Sequence, residues 1–162
     1  MQNIYLGLGT NLGNRQTHLK KALYYIERLL GTIIATSNIY ETQPWGIAEQ
    51  PSFLNMVVEV QTYQSPQNTL STILTIEQFI GRVRLTKWGS RAIDIDLLFY
   101  GEEVINEPNL KIPHPYIPQR NFVLVPLKEI AEDLLHPVLK VSIHELYTNC
   151  KDTLSCKRLL DN

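Results

Sequence analysis

Asp94-Ile95-Asp96-Leu97-Leu98-Phe99-Tyr100 is the stretch on which the fold turns. Its branched and aromatic residues favour a strand, in which residues two apart share a face. Ile95 and Leu97 are therefore expected to point to a core, and Asp94 and Asp96 to the opposite side. Upstream, Ser65-Pro66 opens a helix, with Ser as cap and Pro at the first helical position. Leu70, Ile73, Leu74, Ile76 and Ile80 carry its apolar stripe to about Val83. Before it, Phe53 to Thr62 reads as a strand in which Leu54, Met56, Val58 and Val60 alternate. Thr32 to Thr42, rich in Ile, Thr and Tyr, reads as one more. Leu19, Ala22, Leu23, Ile26, Leu29 and Leu30 recur at helical spacing up to Gly31, and Ile4 to Gly9 is a short buried strand at the start. The order is βαββαβ. The predicted class is α+β: a ferredoxin-like core with helices on one face of a mainly antiparallel sheet.

Downstream, residues 102–105 and 110–112 are expected to form an added hairpin. Pro108, Pro113, Pro115, Pro118 and Pro126 make 101–126 a constrained, loop-rich cover, with Phe122 to Val125 as a further strand. The C-terminal extension has weak helical patterns through Ile130 and Ala131 and near Ile143, Leu146 and Tyr147. No motif is legible beyond about Leu135. Without repeats or a linker, the chain is expected to be a single domain over 1–162.

Charge excludes some functions and its placement suggests another. Fifteen Lys+Arg oppose 16 Asp+Glu for a net −1, and 44% of the residues are apolar. This is neither a disordered chain nor the basic surface of a dedicated nucleic-acid binder. No apolar run approaches the roughly 18 residues of a membrane span, and the start lacks a secretion signal, so a cytoplasmic protein without a membrane partner is expected. Cys150 and Cys156 are too few for a disulfide scaffold or a four-ligand zinc site. Yet four of the seven arginines, Arg82, Arg84, Arg91 and Arg120, fall between positions 82 and 120. Guanidinium groups make forked contacts with phosphate oxygens.

Asp94 and Asp96, projecting together from one strand, repel each other unless protonated or bridged by cations. Magnesium suits such a pair, because one or two carboxylates and substrate phosphates commonly hold it. The competing reading is the solvent face of an amphipathic strand. Lys87-Trp88-Gly89-Ser90-Arg91 just upstream is either a phosphate- and base-contacting loop or an ordinary loop with a packing Trp. His114, held between Pro113 and Pro115, suits a hydrogen bond to phosphate or is a surface turn histidine. Gly7-Leu8-Gly9-Thr10-Asn11 lacks the Lys-Ser/Thr ending of a phosphate loop. Its glycines fit close packing of the first strand against a neighbour or ligand.

The run Lys87-Trp88-Gly89-Ser90-Arg91-Ala92-Ile93-Asp94-Ile95-Asp96-Leu97-Leu98 resembles the signature of the 6-hydroxymethyl-7,8-dihydropterin pyrophosphokinase family. The resemblance continues in residues 5–13, in Tyr40-Glu41-Thr42 with Pro44 and Gly46, and in Gln50-Pro51-Ser52-Phe53-Leu54-Asn55. It reappears in Pro113-His114 with Arg120 and Phe122, so that it spans roughly residues 4 to 130 in family order. It implies transfer of the terminal diphosphate of ATP to the hydroxymethyl group of a reduced pterin, with release of AMP.

On matching positions, the resemblance gives Asp94 and Asp96 two magnesium ions that bridge ATP and the pterin hydroxyl. Arg82 and Arg91 become catalytic phosphate contacts, while Arg84, His114 and Arg120 anchor the polyphosphate. Glu77, Trp88 and Leu97 fall to the nucleotide side. Thr42, Pro44, Trp45, Phe53, Asn55 and Phe122 fall to the pterin pocket, where Phe53 or Phe122 stacks on the ring. Segments 43–52 and 82–92 are the expected lids. Ser90, Ala92 and Pro115 depart from common family residues, which bears on loop rigidity and on an aromatic contact to phosphate. A monomer or weak homodimer is expected. Two rival readings are a single-stranded RNA module using aromatics on an open sheet and a magnesium-dependent kinase moving one phosphoryl group.

Overall fold

The structure, a computed structural model, describes residues 1–44, 49–81 and 92–160. Local chemistry sets the helix ends. Helix α1 (Arg15–Leu29) starts where the Asn14 side chain accepts the Thr17 N–H, 3.1 Å away. It buries Leu19, Ala22 and Ile26. Gly31 follows it for a steric reason: a Cβ there would lie 2.0 Å from the Gln61 carbonyl oxygen. Helix α2 (Pro66–Ile80) starts as the Ser65-Pro66 pair predicts, with Ser65 accepting the Asn68 N–H. It ends three residues before Val83, because Gly81 takes the left-handed conformation at φ 100°.

The main sheet comprises β1 (Gln2–Thr10), β2 (Thr32–Thr36), β3 (Tyr40–Thr42), β4 (Phe53–Thr62), β5 (Asp94–Tyr100) and β8 (Cys156–Arg158). Its order is β5-β1-β4-β3-β8, with β2 also paired to β4 and every pairing antiparallel. The βαββαβ order and the α+β class hold. The strand expected over 32–42 is two strands. Between them, the Ser37 N–H donates to the Val57 carbonyl and the Ser37 hydroxyl accepts the Val57 N–H, both at 2.9 Å. The added hairpin is β6 (Ile105–Glu107) with β7 (Leu110–Ile112), so its first strand begins at Ile105 and not at Glu102.

Each face of the sheet carries its own core. Leu6 and Leu8 of β1, Met56 and Val58 of β4, and Ile95 and Leu97 of β5 pack on α1 and α2. On the other face, Tyr5, Val57, Leu98 and Phe99 pack against α3 (Asn121–Ala131) and α4 (Ile143–Asn149). The register between β1 and β5 slips between Tyr5 and Leu6, which brings adjacent Leu98 and Phe99 into the same core. The core helices thus lie on one face as expected, and the extension places its own helices on the opposite one. That layer covers the face which the RNA-module reading required to be open.

Phe122 to Val125 is helical, not a strand, and forms part of α3. Val123, Leu124 and Leu127 follow helical spacing and bury against the sheet. That burial overrides the strand preference of the Phe and Val residues. Pro126 lies inside the helix, where it cannot donate to the carbonyl of Phe122.

Candidate active site

Strand alternation empties one end of the α3 face. In β1, Leu6 and Leu8 enter the α1/α2 core, and so Gly7 and Gly9 face the other way. Gly7 stands opposite Asp96 and Gly9 opposite Asp94 on one side, and opposite Val57 and Asn55 on the other. The two glycines form the floor of a pocket of about 650 Å³, counting its mouth. Its walls are Thr42, Gln43, Phe53, Asn55, Asp94, Asp96, Arg120 and Phe122, with Met56, Val57 and Val123 below. A Cβ on Gly9 would lie 2.6 Å from Asn55 Oδ1, so glycine there makes room for that carbonyl.

Asn55 is buried, and its Nδ2 donates to Thr42 Oγ1 at 2.6 Å. The bond orients the amide, and the Thr42 hydroxyl keeps its own proton to donate. Such a pair can read a ligand that presents both donors and acceptors. Arg120 is 6% exposed, and its guanidinium lies over the Tyr116 ring at 4.7 Å and the Phe122 ring at 5.4 Å. The two rings hold a fixed cation at the pocket wall. His114 follows the cis Ile112–Pro113 bond, and its backbone N–H donates to the Leu98 carbonyl. Its Nδ1 accepts the Tyr116 N–H at 3.2 Å, which leaves Nε2 as the protonated, donating nitrogen. Burial, and then the charge of Arg120, push the imidazole pKa down to about 4 against the opposing effect of Asp94. His114 is therefore a neutral donor at ordinary pH.

Asp94 and Asp96 share the pocket face of β5, as their spacing predicts. Among the described residues, no group of three or more His, Cys, Asp or Glu side chains is placed to hold a metal. Two carboxylates on an open pocket wall fit a hard cation that takes its remaining ligands from water and phosphate.

Several expected site residues lie elsewhere. Leu97 turns its side chain into the α1/α2 core and does not line the pocket. Glu77 is buried on α2, where its Oε2 accepts the Ile95 N–H at 3.1 Å, so it braces the strand between the two aspartates. Pro44 follows Gln43 but is not among the lining residues. Trp45, Arg82, Arg84, Trp88 and Arg91 lie outside the described residues, as do 45–48 and 82–91 of the expected lids.

The segment 43–52 is anchored on its described flanks. Asn11 Nδ2 donates to Gln50 Oε1 and to the Pro51 carbonyl, both at 3.0 Å. Arg15 bonds Glu41 and both oxygens of Ser52. Asn11 falls in the family-like run 5–13 and Gln43 in the expected lid 43–52, but neither these two nor Arg15 carries a sequence signal for its role here. The alternating Gly-Leu-Gly of β1 was the available signal for the pocket floor.

Residues 5–132 match the family model of 7,8-dihydro-6-hydroxymethylpterin-pyrophosphokinase. A 2-amino-4-hydroxy-6-hydroxymethyldihydropteridine pyrophosphokinase from Aquifex aeolicus is 41% identical over 145 residues, covering 90% of each chain. The folic acid synthesis protein fol1 of Pneumocystis carinii is 40% identical over 149 residues, which are 92% of this chain and 20% of that one. In shape, the chain is similar to a crystal structure of a Plasmodium falciparum HPPK-DHPS variant with STZ-DHP, with a TM-score of 0.78 at 21% identity. That match covers 91% of this chain, which spans 45% of the longer one. No described helix is long and apolar enough to cross a membrane.

Proposed function

The chain belongs to the 7,8-dihydro-6-hydroxymethylpterin-pyrophosphokinase family, a pyrophosphokinase of folate biosynthesis, and on that premise we propose how its pocket divides the work. ATP and 6-hydroxymethyl-7,8-dihydropterin meet over the glycine floor within one domain spanning 1–162. The pterin hydroxyl oxygen attacks the β-phosphorus, the bond from that phosphorus to the AMP oxygen breaks, and AMP leaves. The observation that carries this reading is convergence. The carboxylates of β5, the amide–hydroxyl pair of β4 and β3, and the arginine and aromatic ring at the start of α3 all line one pocket.

Asp94 and Asp96 hold two magnesium ions in this reading. Bound there, the metal supplies charge neutralisation to the polyphosphate and the attacking oxygen. Asn55 and Thr42 bind the polar edge of the pterin, and Phe53 or Phe122 takes its flat face. Arg120 fixes phosphate charge from a position held by two rings, so little reorganisation remains for the reaction. His114 donates from Nε2 to a phosphate oxygen without adding a second full charge beside Arg120. Arg82, Arg84 and Arg91 are assigned to the phosphates, Trp88 to the nucleotide and Trp45 to the pterin, as the family resemblance implies.

The test is product analysis with reduced hydroxymethylpterin, ATP and magnesium, alongside a chelator arm. AMP with loss of turnover on chelation is expected. ADP as the nucleotide product overturns diphosphate transfer, and undiminished turnover in chelator overturns the magnesium assignment.

A further inference from the structure

We propose that Asp152 is a positioning residue for the substrate pocket, acting through a strap, 152–158, that ties the pocket's two walls together. The inference rests on the functional reading above. The strap lies beyond residue 132, where the family match stops.

One end of the strap finishes a helix. The first N–H groups of a helix have no partner within it, and the residue before α3, Arg120, supplies no side-chain cap. Asp152 does so from 31 residues away, with Oδ2 accepting the Asn121 N–H at 3.0 Å. Asn121 answers by donating from Nδ2 to the Asp152 carbonyl at 2.8 Å. Oδ1 accepts the Leu154 N–H, which keeps the carboxylate aimed. A negative charge at this position also complements the helix dipole. The residues on either side of Asn121 are Arg120 and Phe122, both in the pocket wall.

The other end finishes the sheet. Three residues on, Ser155 and Gln43 bond in both directions: the Ser155 N–H donates to Gln43 Oε1 at 2.8 Å, and the Gln43 N–H donates to the Ser155 carbonyl at 3.2 Å. Strand β8 then pairs with β3, setting Cys156 opposite Thr42. Thr42 and Gln43 line the same pocket as Phe122. The strap therefore sets the distance between the wall that carries the aromatic ring and the wall that reads the polar edge. Loss of its helix-capping end should loosen pterin binding more than ATP binding or the chemical step. Asp152 touches neither carboxylate of β5, and Arg120, though next to Asn121, is also held by the Tyr116 ring at 4.7 Å, outside the strap.

The experiment is steady-state AMP formation by the full chain, with pterin and ATP varied separately. For Asp152→Ala, the pterin KM is expected to rise about tenfold, the size of effect that a lost helix cap can produce. The ATP KM and kcat should stay within about twofold of wild type. Asp152→Asn keeps one acceptor oxygen and should recover most of the loss, with a pterin KM within about threefold of wild type. Lys157→Ala, an exposed position on β8, should change nothing. If Asp152→Ala does not fold, Ser155→Pro takes its place: it deletes the N–H that Gln43 accepts and should raise the pterin KM about threefold or more. A merely structural role would lower kcat through a smaller folded fraction and leave KM alone. That result, or an equal rise in both KM values, overturns the proposal. If the wild type makes AMP and Asp152→Ala has an unchanged pterin KM, the strap alone fails; if the wild type makes no AMP, the functional reading fails first and takes the strap with it.

Discussion

The two faces of the β4-β1-β5 block use neighbouring residues for opposite purposes. On the α1/α2 face, Leu6, Leu8, Met56, Val58, Ile95 and Leu97 fill the space between sheet and helices. One residue away on each strand, Gly7, Gly9, Asn55, Asp94 and Asp96 leave space and place polar groups around it. A slip of one residue in register would exchange the two sets, so the leucine face fixes where the aspartates point. Stability and chemistry are thus separated by a single Cα step, and substitutions on the two faces should have separable effects.

The largest expected effect is on the site face. Asp96→Asn should lower turnover about 10³-fold or more at saturating magnesium, with the thermal midpoint within a few degrees of wild type. Near-normal turnover would break the metal assignment and the contrast with it. On the packed face, Leu6→Ala should cost about 3 kcal/mol of unfolding free energy by urea titration, while the folded fraction keeps its KM values. A change in KM of the same weight would show that the faces are not separable.

Gly9→Ala tests the floor. The added methyl must displace Asn55 Oδ1, and a pterin KM about tenfold higher is expected with little loss of stability. The smallest effect concerns His114, whose folded pKa of about 4 lies below its ordinary 6.5. The unfolded chain takes up a proton first as pH falls, so this group's contribution to stability is complete above about pH 6.5 and is lost toward pH 4. Denaturation near pH 7 and near pH 5 should show a smaller acid-side loss for His114→Gln than for wild type. Equal losses would remove the buried-imidazole account.

Much of this contrast was legible because it rests on period and local signals. Alternation in Asp94 to Tyr100 and in Phe53 to Thr62 identified strands and their faces, and Ser65-Pro66 marked a helix start to the residue. The failures came where tertiary partners decide. Phe122 to Val125 has strand-like residues, but its helix is capped by Asp152 and pays no cost that its own neighbours reveal. The break between β2 and β3 depends on the Ser37 hydroxyl meeting Val57, twenty positions away. Leu97 is a different case: strand alternation within Asp94 to Tyr100 already sends it to the core, so the nucleotide-side role that the resemblance implies falls on a side chain turned away from the pocket. Residues 150–158 have no periodicity to read, because backbone pairing and side-chain bonds to Asn121 and Gln43 hold them in place.

The pairing of Gln43 with Ser155 spans 112 residues. Contacts so distant close late, since the intervening chain must be gathered before they gain anything. During synthesis at about 5–20 residues per second, Ser155 leaves the ribosome on the order of ten seconds after the strand it holds. The nascent chain can bury its leucines before its cleft has two fixed sides. Foldedness and competence are therefore reached at different times, and the strap is made only after the walls that it joins.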